Sequence, residues 1–470
     1  MITDTICAIS TPPGSGGIAV ARISGPEAID VVMRRWKGKD LNLVPSHSVH
    51  LGTVTDSAGR DLDQAVATIF RAPASYTGDD VIELSVHGSP FIQRELILSL
   101  IDAGARLAER GEFTRRAHAA GKLDLAQAEA VADIIAADSR AAHRIAISQM
   151  KGNFSRRLAQ LRDQLIEISS LLELELDFSE EEVEFASRSH LLQLATDLHN
   201  EITRLSASFR TGNAIRRGIP VAIIGPTNAG KSSLLNTLLG DNRAIVSDIH
   251  GTTRDTIEET LEIGDYLFRF IDTAGIRPTD DPIEQQGIDR SISAISRARI
   301  IISLIDPFNT DEASHQALDS LQYADSAHII HAINKADLPG YTNAIRTLNI
   351  SDPIKISATT GQSINTPTNV IELSATTRQG IDTLRNRLTE IAAADDAPSD
   401  IIITNIRHAD ALTRAGQSIQ RVITALSTDL PGDLIAQDLR ETILHLSEIT
   451  DPITTDELLQ TIFTRFCIGK

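Results

Sequence analysis

Between Ile18 and Val86, short β-branched and aliphatic runs alternate with polar and glycine-rich punctuation. The runs Ile18–Ile23, Val49–Val54, Ala65–Ile69 and Val81–Val86 predict strands. Glu27–Arg35 and Phe91–Ala103 instead carry apolar residues at three- and four-residue spacing and predict helices, so residues 1–120 read as a small α+β domain. From Leu123 to Arg217 the spacing is helical throughout, with no proline between Pro90 and Pro220. The acidic run Glu173–Glu184 within it predicts a helix end and break at a solvated surface. A third pattern follows, in which the buried runs Val221–Ile224, Thr256–Ile263, Tyr266–Ile271 and His328–Ile333 predict strands, and Ser233–Leu239 and Gly380–Leu388 predict helices. Ala392–Ser399 then reads as a linker, and helical periodicity resumes from Ile406 to Phe466. Two helical stretches flanking one α/β segment predict an α/β domain inserted into a helical body.

The inserted segment carries the clearest chemistry. Gly225-Pro226-Thr227-Asn228-Ala229-Gly230-Lys231-Ser232 fits the phosphate-loop pattern between a strand and a helix. In that setting backbone N–H groups from Asn228 to Ser233 and the helix N-terminus face an anion, Lys231 reaches the outer phosphates, and Ser232 ligates Mg²⁺. Downstream, Gly251-Thr252-Thr253-Arg254-Asp255 offers the Thr253 hydroxyl to Mg²⁺, and Asp272-Thr273-Ala274-Gly275 closes a strand with Asp272 beside a metal-bound water and Gly275 facing the γ-phosphate. Asn334-Lys335-Ala336-Asp337 ends another strand. The Asp337 carboxylate suits the two N–H donors of guanine and would face an acceptor in adenine, so GTP is expected over ATP. Two Ser-Ala pairs are candidates for the closing element around the base, Ser357-Ala358 and Ser374-Ala375. Only the second precedes a convincing helix, so Ser374-Ala375-Thr376 is taken and residues 340–369 are read as an insertion.

Composition narrows the setting. With 44 basic and 63 acidic residues, the net charge of −19 argues against general nucleic-acid coating. The two cysteines, Cys7 and Cys467, cannot build a disulfide framework, no signal-peptide pattern opens the sequence, and no apolar run approaches the roughly 20 residues of a membrane span. A cytoplasmic, reduced location without membrane attachment is expected. The stretch Arg110–Lys122 is basic and loop-like, read either as a solvated linker or as a contact for an anionic substrate. Arg22 and Glu83, near the ends of apolar runs, read as surface charges on pattern alone. Cys467, three residues before the last position, reads as buried filler or as a reactive thiol.

Several segments together resemble the MnmE (TrmE) family of tRNA-modification GTPases. They are Thr11-Pro12-Pro13-Gly14 with Arg22-Ile23-Ser24-Gly25, Gly111-Glu112-Phe113-Thr114, Lys122-Leu123-Asp124-Leu125-Ala126-Gln127-Ala128-Glu129-Ala130, the four nucleotide motifs, and Cys467-Ile468-Gly469-Lys470. The resemblance implies a multidomain α/β plus α fold. Residues 1–120 would be an α+β tetrahydrofolate-binding and dimerisation domain, 121–217 the first part of a helical domain, 218–392 a Ras-like GTPase domain with a mostly parallel sheet, and 393–470 the second helical part. It also implies a cytoplasmic homodimer that works with the flavoprotein MnmG, as a heterotetramer, to place an aminomethyl-type group (carboxymethylaminomethyl) on C5 of the wobble uridine of certain tRNAs. The one-carbon unit would come from a 5-formyl- or methylene-tetrahydrofolate.

Residue by residue, the resemblance assigns folate binding to Arg22, Glu83, Lys122 and Lys470, and places Cys467 at or beside the modification site. Ile276 stands after Asp272-Thr273-Ala274-Gly275, where a Ras-like enzyme uses a water-orienting glutamine, and the resemblance gives that task to Glu284. No arginine finger is evident. K⁺ held by Asn228, the Ser247 and Ile249 carbonyls and Thr252 would replace it where two GTPase domains meet, within nucleotide contacts running along Ser247, Asp248, Ile249, His250, Gly251, Thr252 and Thr253. A ribosome-assembly or signalling GTPase is the alternative reading, but the former normally carries a basic RNA-binding module and the latter needs no second ligand domain.

Overall fold

The computed structural model describes residues 4–177, 187–226, 228–240, 258–272, 295–308, 327–347, 370–395, 401–428, 430, 432–450, 466 and 469. The chain divides into two compact units: Met1–Ala136 with Ala146–Ser206 and Arg407–Lys470, and Ala137–Ile145 with Ala207–Ile406.

The first unit opens with β1 (Ile6–Ile9), β2 (Gly16–Ser24), α1 (Ala28–Met33), β3 (Trp36–Gly38), β4 (Ser48–Thr55), β5 (Asp61–Phe70), β6 (Val81–Gly88), α2 (Pro90–Asp102) and β7 (Arg106–Leu107). Its seven-stranded sheet runs β3-β4-β5-β6-β2-β1-β7, antiparallel except for the β1–β7 pair. The four strands and two helices expected from the pattern are present. The short β3 and β7 and the four-residue β1 were not expected, because strands of two to four residues show little alternation and form by pairing with a neighbour. Ala19, Ala21 and Ile23 of β2 are buried on one face, in the same core as Leu96 and Leu100 of α2. Val20 and Arg22 therefore point to the opposite face.

The basic stretch after β7 departs from the loop expected of it. Glu112–Ala119 form α3, and Arg116 and Glu112 are almost wholly buried. The Arg116 guanidinium donates to the Asp4 carbonyl (2.8 Å), the Asp4 carboxylate (2.9 Å) and the Glu112 carboxylate (3.0 Å), while Arg106 donates to both Glu112 oxygens (2.6 and 3.1 Å). Burial alone would push the Glu112 carboxyl up, but the Arg106 and Arg116 guanidinia and the Glu109 amide hold it below the usual carboxylate range. Charges that look solvated in sequence are here paired internally, all but the Arg116 Nε finding a partner among the described residues, which is the condition for burying them.

Next come α4 (Leu125–Ile135), α5 (Arg140–Met150), α6 (Asn153–Asp177), α7 (Arg188–Ala207) and α8 (Phe209–Arg217). A capping box starts α4: Asp124 accepts from the Gln127 N–H (2.8 Å) and the Gln127 side chain accepts from the Asp124 N–H (3.0 Å). Phe154, Leu158, Leu161, Leu165, Ile168 and Leu172 form the buried stripe of α6. That helix continues to Asp177, into the run expected to break it; the remainder of the acidic run lies outside the described residues.

The second unit contains β8 (Ile219–Ile224), α9 (Lys231–Gly240), β9 (Glu258–Ile263), β10 (Tyr266–Asp272), β11 (Ile300–Ile305), β12 (His328–Ile333), α10 (Tyr341–Thr347), β13 (Val370–Glu372) and α11 (Ile381–Asp395). Its sheet order is β13-β12-β11-β8-β10-β9, with every pair parallel except β9–β10. The β-branched run that makes β11 belongs at the centre of this buried sheet, although pattern reading did not single it out. Residues 341–347 are helical where an insertion was read, and α11 extends to Asp395, into the expected linker.

Two long helices, α12 (Ile406–Ser427) and α13 (Gly432–Thr450), return the chain to the first unit. Their principal polar tie is to Glu129 on α4. The Glu129 carboxylate accepts from Arg407 (2.9 and 3.1 Å) and lies 2.7 Å from Nε2 of the buried His408. Arg407 also donates to the Ile449 carbonyl of α13 (3.0 Å). Burial acts to raise the Glu129 pKa, but His408 and Arg407 prevail and hold it at about 2. Among the described residues, no helix is long and apolar enough to cross a membrane.

Replacing Glu129 by Gln removes the countercharge of the half-buried Arg407, and the first unit should lose about 3 kcal/mol of stability, readable as a lower urea midpoint in circular dichroism. Because the folded pKa is depressed, the wild-type contribution is complete above the ordinary value of 4.5 and is lost as pH falls towards 2. The gap between variant and wild type should narrow over that interval.

Candidate nucleotide site and a polar cluster on the N-terminal sheet

The phosphate-loop residues lie between the end of β8 and the start of α9, with Ala229 fully buried and Asn228, Ser232 and Ser233 exposed. Asn228 has φ +63° and Gly230 φ +96°, so the loop turns its backbone through the left-handed region. A Cβ on Gly230 would come within 2.3 Å of Asn334 Nδ2, so only glycine allows that approach. The Lys231 ammonium donates to the Gly225 (2.9 Å) and Pro226 (3.0 Å) carbonyls, folded over the loop in which a phosphate would sit.

Asn334 joins three segments. Its Nδ2 donates to the Ala229 carbonyl (2.8 Å) and its Oδ1 accepts from the Ala375 N–H (3.1 Å), tying the phosphate loop to the Ser374-Ala375 loop. Ser374 Oγ donates to Asp337 Oδ1 (2.6 Å) and accepts from the Thr377 N–H (3.1 Å), which orients an otherwise exposed carboxylate. Thr237 of α9 donates to the Ala375 carbonyl (2.7 Å). The Asn334, Lys335, Ala336, Asp337, Ser374, Ala375 and Thr376 segments thus converge beside the phosphate loop, with Thr376 in the turn after Ala375. Ser357-Ala358 lies outside the described residues.

One residue of this constellation escaped pattern reading. Asp306, just past β11 and 3% exposed, accepts from the Lys335 ammonium (2.6 Å) and from the Phe308 N–H (3.1 Å). Lys335 has φ +66°, a conformation sparsely populated outside glycine, and its ion pair with Asp306 helps to hold it. The available signal was a carboxylate directly after a buried β-branched run, at the strand end where such sheets bind ligands. Asp272 closes β10 beside Ile223 of β8. Ser247, Asp248, Ile249, His250, Gly251, Thr252, Thr253, Thr273, Ala274, Gly275 and Glu284 lie outside the described residues.

A second polar cluster lies in the first unit. Arg22 and Glu83 sit directly opposite each other on β2 and β6. Both Arg22 Nε (2.9 Å) and Nη2 (2.8 Å) reach Glu83 Oε1, so Oε2 has no hydrogen-bond partner among the described residues. The pair is half-buried, at 17% and 28% side-chain exposure, against the surface charges expected from pattern. The guanidinium packs over the rings of Tyr76 and Phe113, 5.5 and 5.6 Å from their centroids, and Tyr76 Oη is 2.9 Å from Thr114 Oγ1. Burial pushes the Tyr76 phenol up. Lys122 donates to the Pro73 carbonyl, on the same loop as Tyr76. Lys470 and Cys467 lie outside the described residues.

A glycine-containing phosphate loop between strand and helix, with an Asn-Lys-x-Asp loop and a Ser-Ala loop gathered beside it on a mostly parallel sheet, defines a guanine-nucleotide-binding P-loop protein. Comparison with known proteins gives the family. Residues 5–122 match the GTP-binding protein TrmE N-terminus and residues 125–467 match the MnmE helical domain. The chain is 48% identical to the tRNA modification GTPase MnmE of Parabacteroides distasonis, over 99% of this chain and 100% of that protein. It is 44% identical to that of Cytophaga hutchinsonii, over 100% and 98%. Among solved structures it is similar to Aquifex aeolicus Era bound to GDP and aluminium fluoride, 22% identical over 42% of this chain and 65% of that one, with a TM-score of 0.28, too partial a likeness to carry weight. The chain belongs to the MnmE family and is a GTPase.

Changing Asp337 to Asn should replace one of the two acceptor oxygens that face guanine's N–H donors by an NH₂ donor. GTP affinity should fall by about 100-fold or more, with xanthosine triphosphate now preferred, as nucleotide titration would read.

Proposed function

We propose that this protein hydrolyses GTP to drive modification of C5 of the wobble uridine in certain tRNAs, installing a carboxymethylaminomethyl-type group together with an MnmG flavoprotein. The one-carbon unit comes from a tetrahydrofolate, 5-formyl or methylene, bound by the N-terminal segment 1–120. The observation that carries this reading is the Arg22–Glu83 pair. One carboxylate oxygen is fixed by the guanidinium and the other is left to accept from a ligand, which suits the adjacent N–H donors of a pterin ring. Tyr76 and Phe113 give the same spot apolar walls, and Lys122, with Lys470, supplies positive charge for the folate's carboxylates.

In the GTPase segment, 218–392, the loop amides from Asn228 to Ser233 and the Lys231 ammonium hold the phosphates, and Asp337, oriented by Ser374, reads the base. Bound Mg²⁺ neutralises charge on the phosphates, and Ser232 with Thr253 would hold it. The exposed Ser232, the second residue of α9, fits that role. Asn228, Ser247, Ile249 and Thr252 hold K⁺, and Glu284 orients the attacking water. Two GTPase segments of a homodimer meet when the site is active, and the helical segments 121–217 and 393–470 join each to its N-terminal domain. Cys467 lies at the modification site, and the protein works in the cytoplasm.

GTP turnover should depend on K⁺ with little support from Na⁺; equal rates in the two salts at matched ionic strength would overturn the cation assignment. For the pathway itself, mass spectrometry of tRNA nucleosides from cells lacking the protein should show loss of a C5-aminomethyl-type uridine. Wild type should restore it, whereas a Cys467→Ser form should not. An unchanged profile in cells with no redundant enzyme would leave a ribosome-assembly or signalling switch as the better reading.

A further inference from the structure

Two lysines stand at the nucleotide site, and they are held differently. The Lys231 ammonium lies over the phosphate loop, donating to the Gly225 and Pro226 carbonyls. The Lys335 ammonium is bound by a carboxylate, that of Asp306, at 2.6 Å. The Asp306 side chain is 4% exposed, against 29% for Lys335.

The sheet register explains why these two residues meet. Strands β11 and β12 pair in parallel as far as Ile305 and Ile333, and the Asn334 N–H continues the ladder by donating to the Ile305 carbonyl at 2.9 Å. Asp306 and Lys335 are the next residues on the two sides. In the sheet, β11 lies between β8 and β12, and a Cβ on Gly225 would come within 2.5 Å of the Leu304 carbonyl oxygen. The end of β11 therefore stands between the start of the phosphate loop and the loop that carries Asp337.

Both oxygens of the Asp306 carboxylate are engaged. Oδ1 accepts from the Phe308 N–H (3.1 Å), which fixes the direction of the group, and Oδ2 takes the ammonium. Lys335 has φ +66°, a conformation that a residue other than glycine keeps only under constraint from its surroundings. Moving the ammonium onto a phosphate would leave a buried carboxylate without its countercharge, which is strongly unfavourable.

We propose that Asp306 is a positioning residue for guanine-nucleotide binding: it retains the Lys335 ammonium, so that Lys335 acts as a strut that sets the Asn334–Asp337 loop before nucleotide arrives and not as a ligand of the outer phosphates. Asp306 acts through Lys335 and touches no reacting atom. A loop shaped in advance contributes to affinity by lowering the ordering cost of binding, and leaves the hydrolytic step alone. The inference deepens the guanine-nucleotide reading of this site and rests on it.

The test uses the full-length protein, fluorescence titration with the N-methylanthraniloyl derivatives of GTP and GDP, and GTP turnover. Asp306→Asn keeps an acceptor but loses the charge, and should weaken both nucleotides equally, by about tenfold, the worth of a charged hydrogen bond. The KM for GTP should rise in step, while kcat at saturating GTP stays within about twofold. In a Lys335→Met chain, adding Asp306→Asn should change affinity by no more than about twofold. Unchanged affinities in Asp306→Asn would overturn the proposal. So would a loss just as large in the Lys335→Met chain, because Asp306 would then act on the strand end and not through the lysine. A loss confined to GTP would assign the ammonium to the γ-phosphate and overturn the strut. If Asp306→Asn failed to fold, Lys335→Met alone decides, equal losses for the two nucleotides supporting the proposal and a GTP-selective loss overturning it. A wild type that bound neither nucleotide would overturn the site reading and the proposal together.

Discussion

One carboxylate holds together parts of the first unit that are far apart in the chain. Glu129 on α4 binds Arg407 and His408, 278 and 279 positions further along the chain, and everything between Ser206 and Arg407 belongs to the other unit. A helical body interrupted by some two hundred residues must find its second half by tertiary contact alone. Apolar stripes such as those of α6 and α13 provide area but tolerate slippage along the helix axis. A buried carboxylate gripped by a half-buried guanidinium and a buried imidazole does not, since a shift of one turn would strand all three. The Arg407 bond to the Ile449 carbonyl extends the same constraint to the end of α13, so α4, α12 and α13 share one register.

The nucleotide side is organised by an uncharged residue with a similar task. Asn334 can donate to the phosphate loop and accept from the Ser-Ala loop because its amide carries both functions at one end. No carboxylate could do so. Through it, the loop that holds phosphate and the loops that hold the base become one hydrogen-bonded object, and the close approach of Gly230 to that amide explains a glycine at this point in the phosphate loop.

Buried charge also explains where pattern reading and structure parted. Arg116 and Glu112 looked like members of a solvated basic linker, and Arg22 and Glu83 like surface charges. All four find partners inside or at the edge of the first unit. Hydropathy assigns each charge a cost of burial without knowing whether a countercharge waits 2.8 Å away on a strand sixty residues distant. Asp306 escaped notice for the same reason, since its significance lies in the Lys335 ammonium that reaches it.

Local chemistry was enough for the element types and the nucleotide motifs. Alternation in β2, β4, β5 and β6, helical spacing in α2 and α6, and the glycines and lysine of the phosphate loop each act over a few consecutive residues. Their meaning can be read before any folding is considered. Which charges would be neutralised, how the two helical stretches would lock at Glu129, and that Asp306 would bind the Lys335 ammonium were decided only in three dimensions. Those facts depend on pairs separated by tens to hundreds of residues, and hydrogen bonds and ion pairs are short-ranged interactions whose partners the chain brings together only by folding.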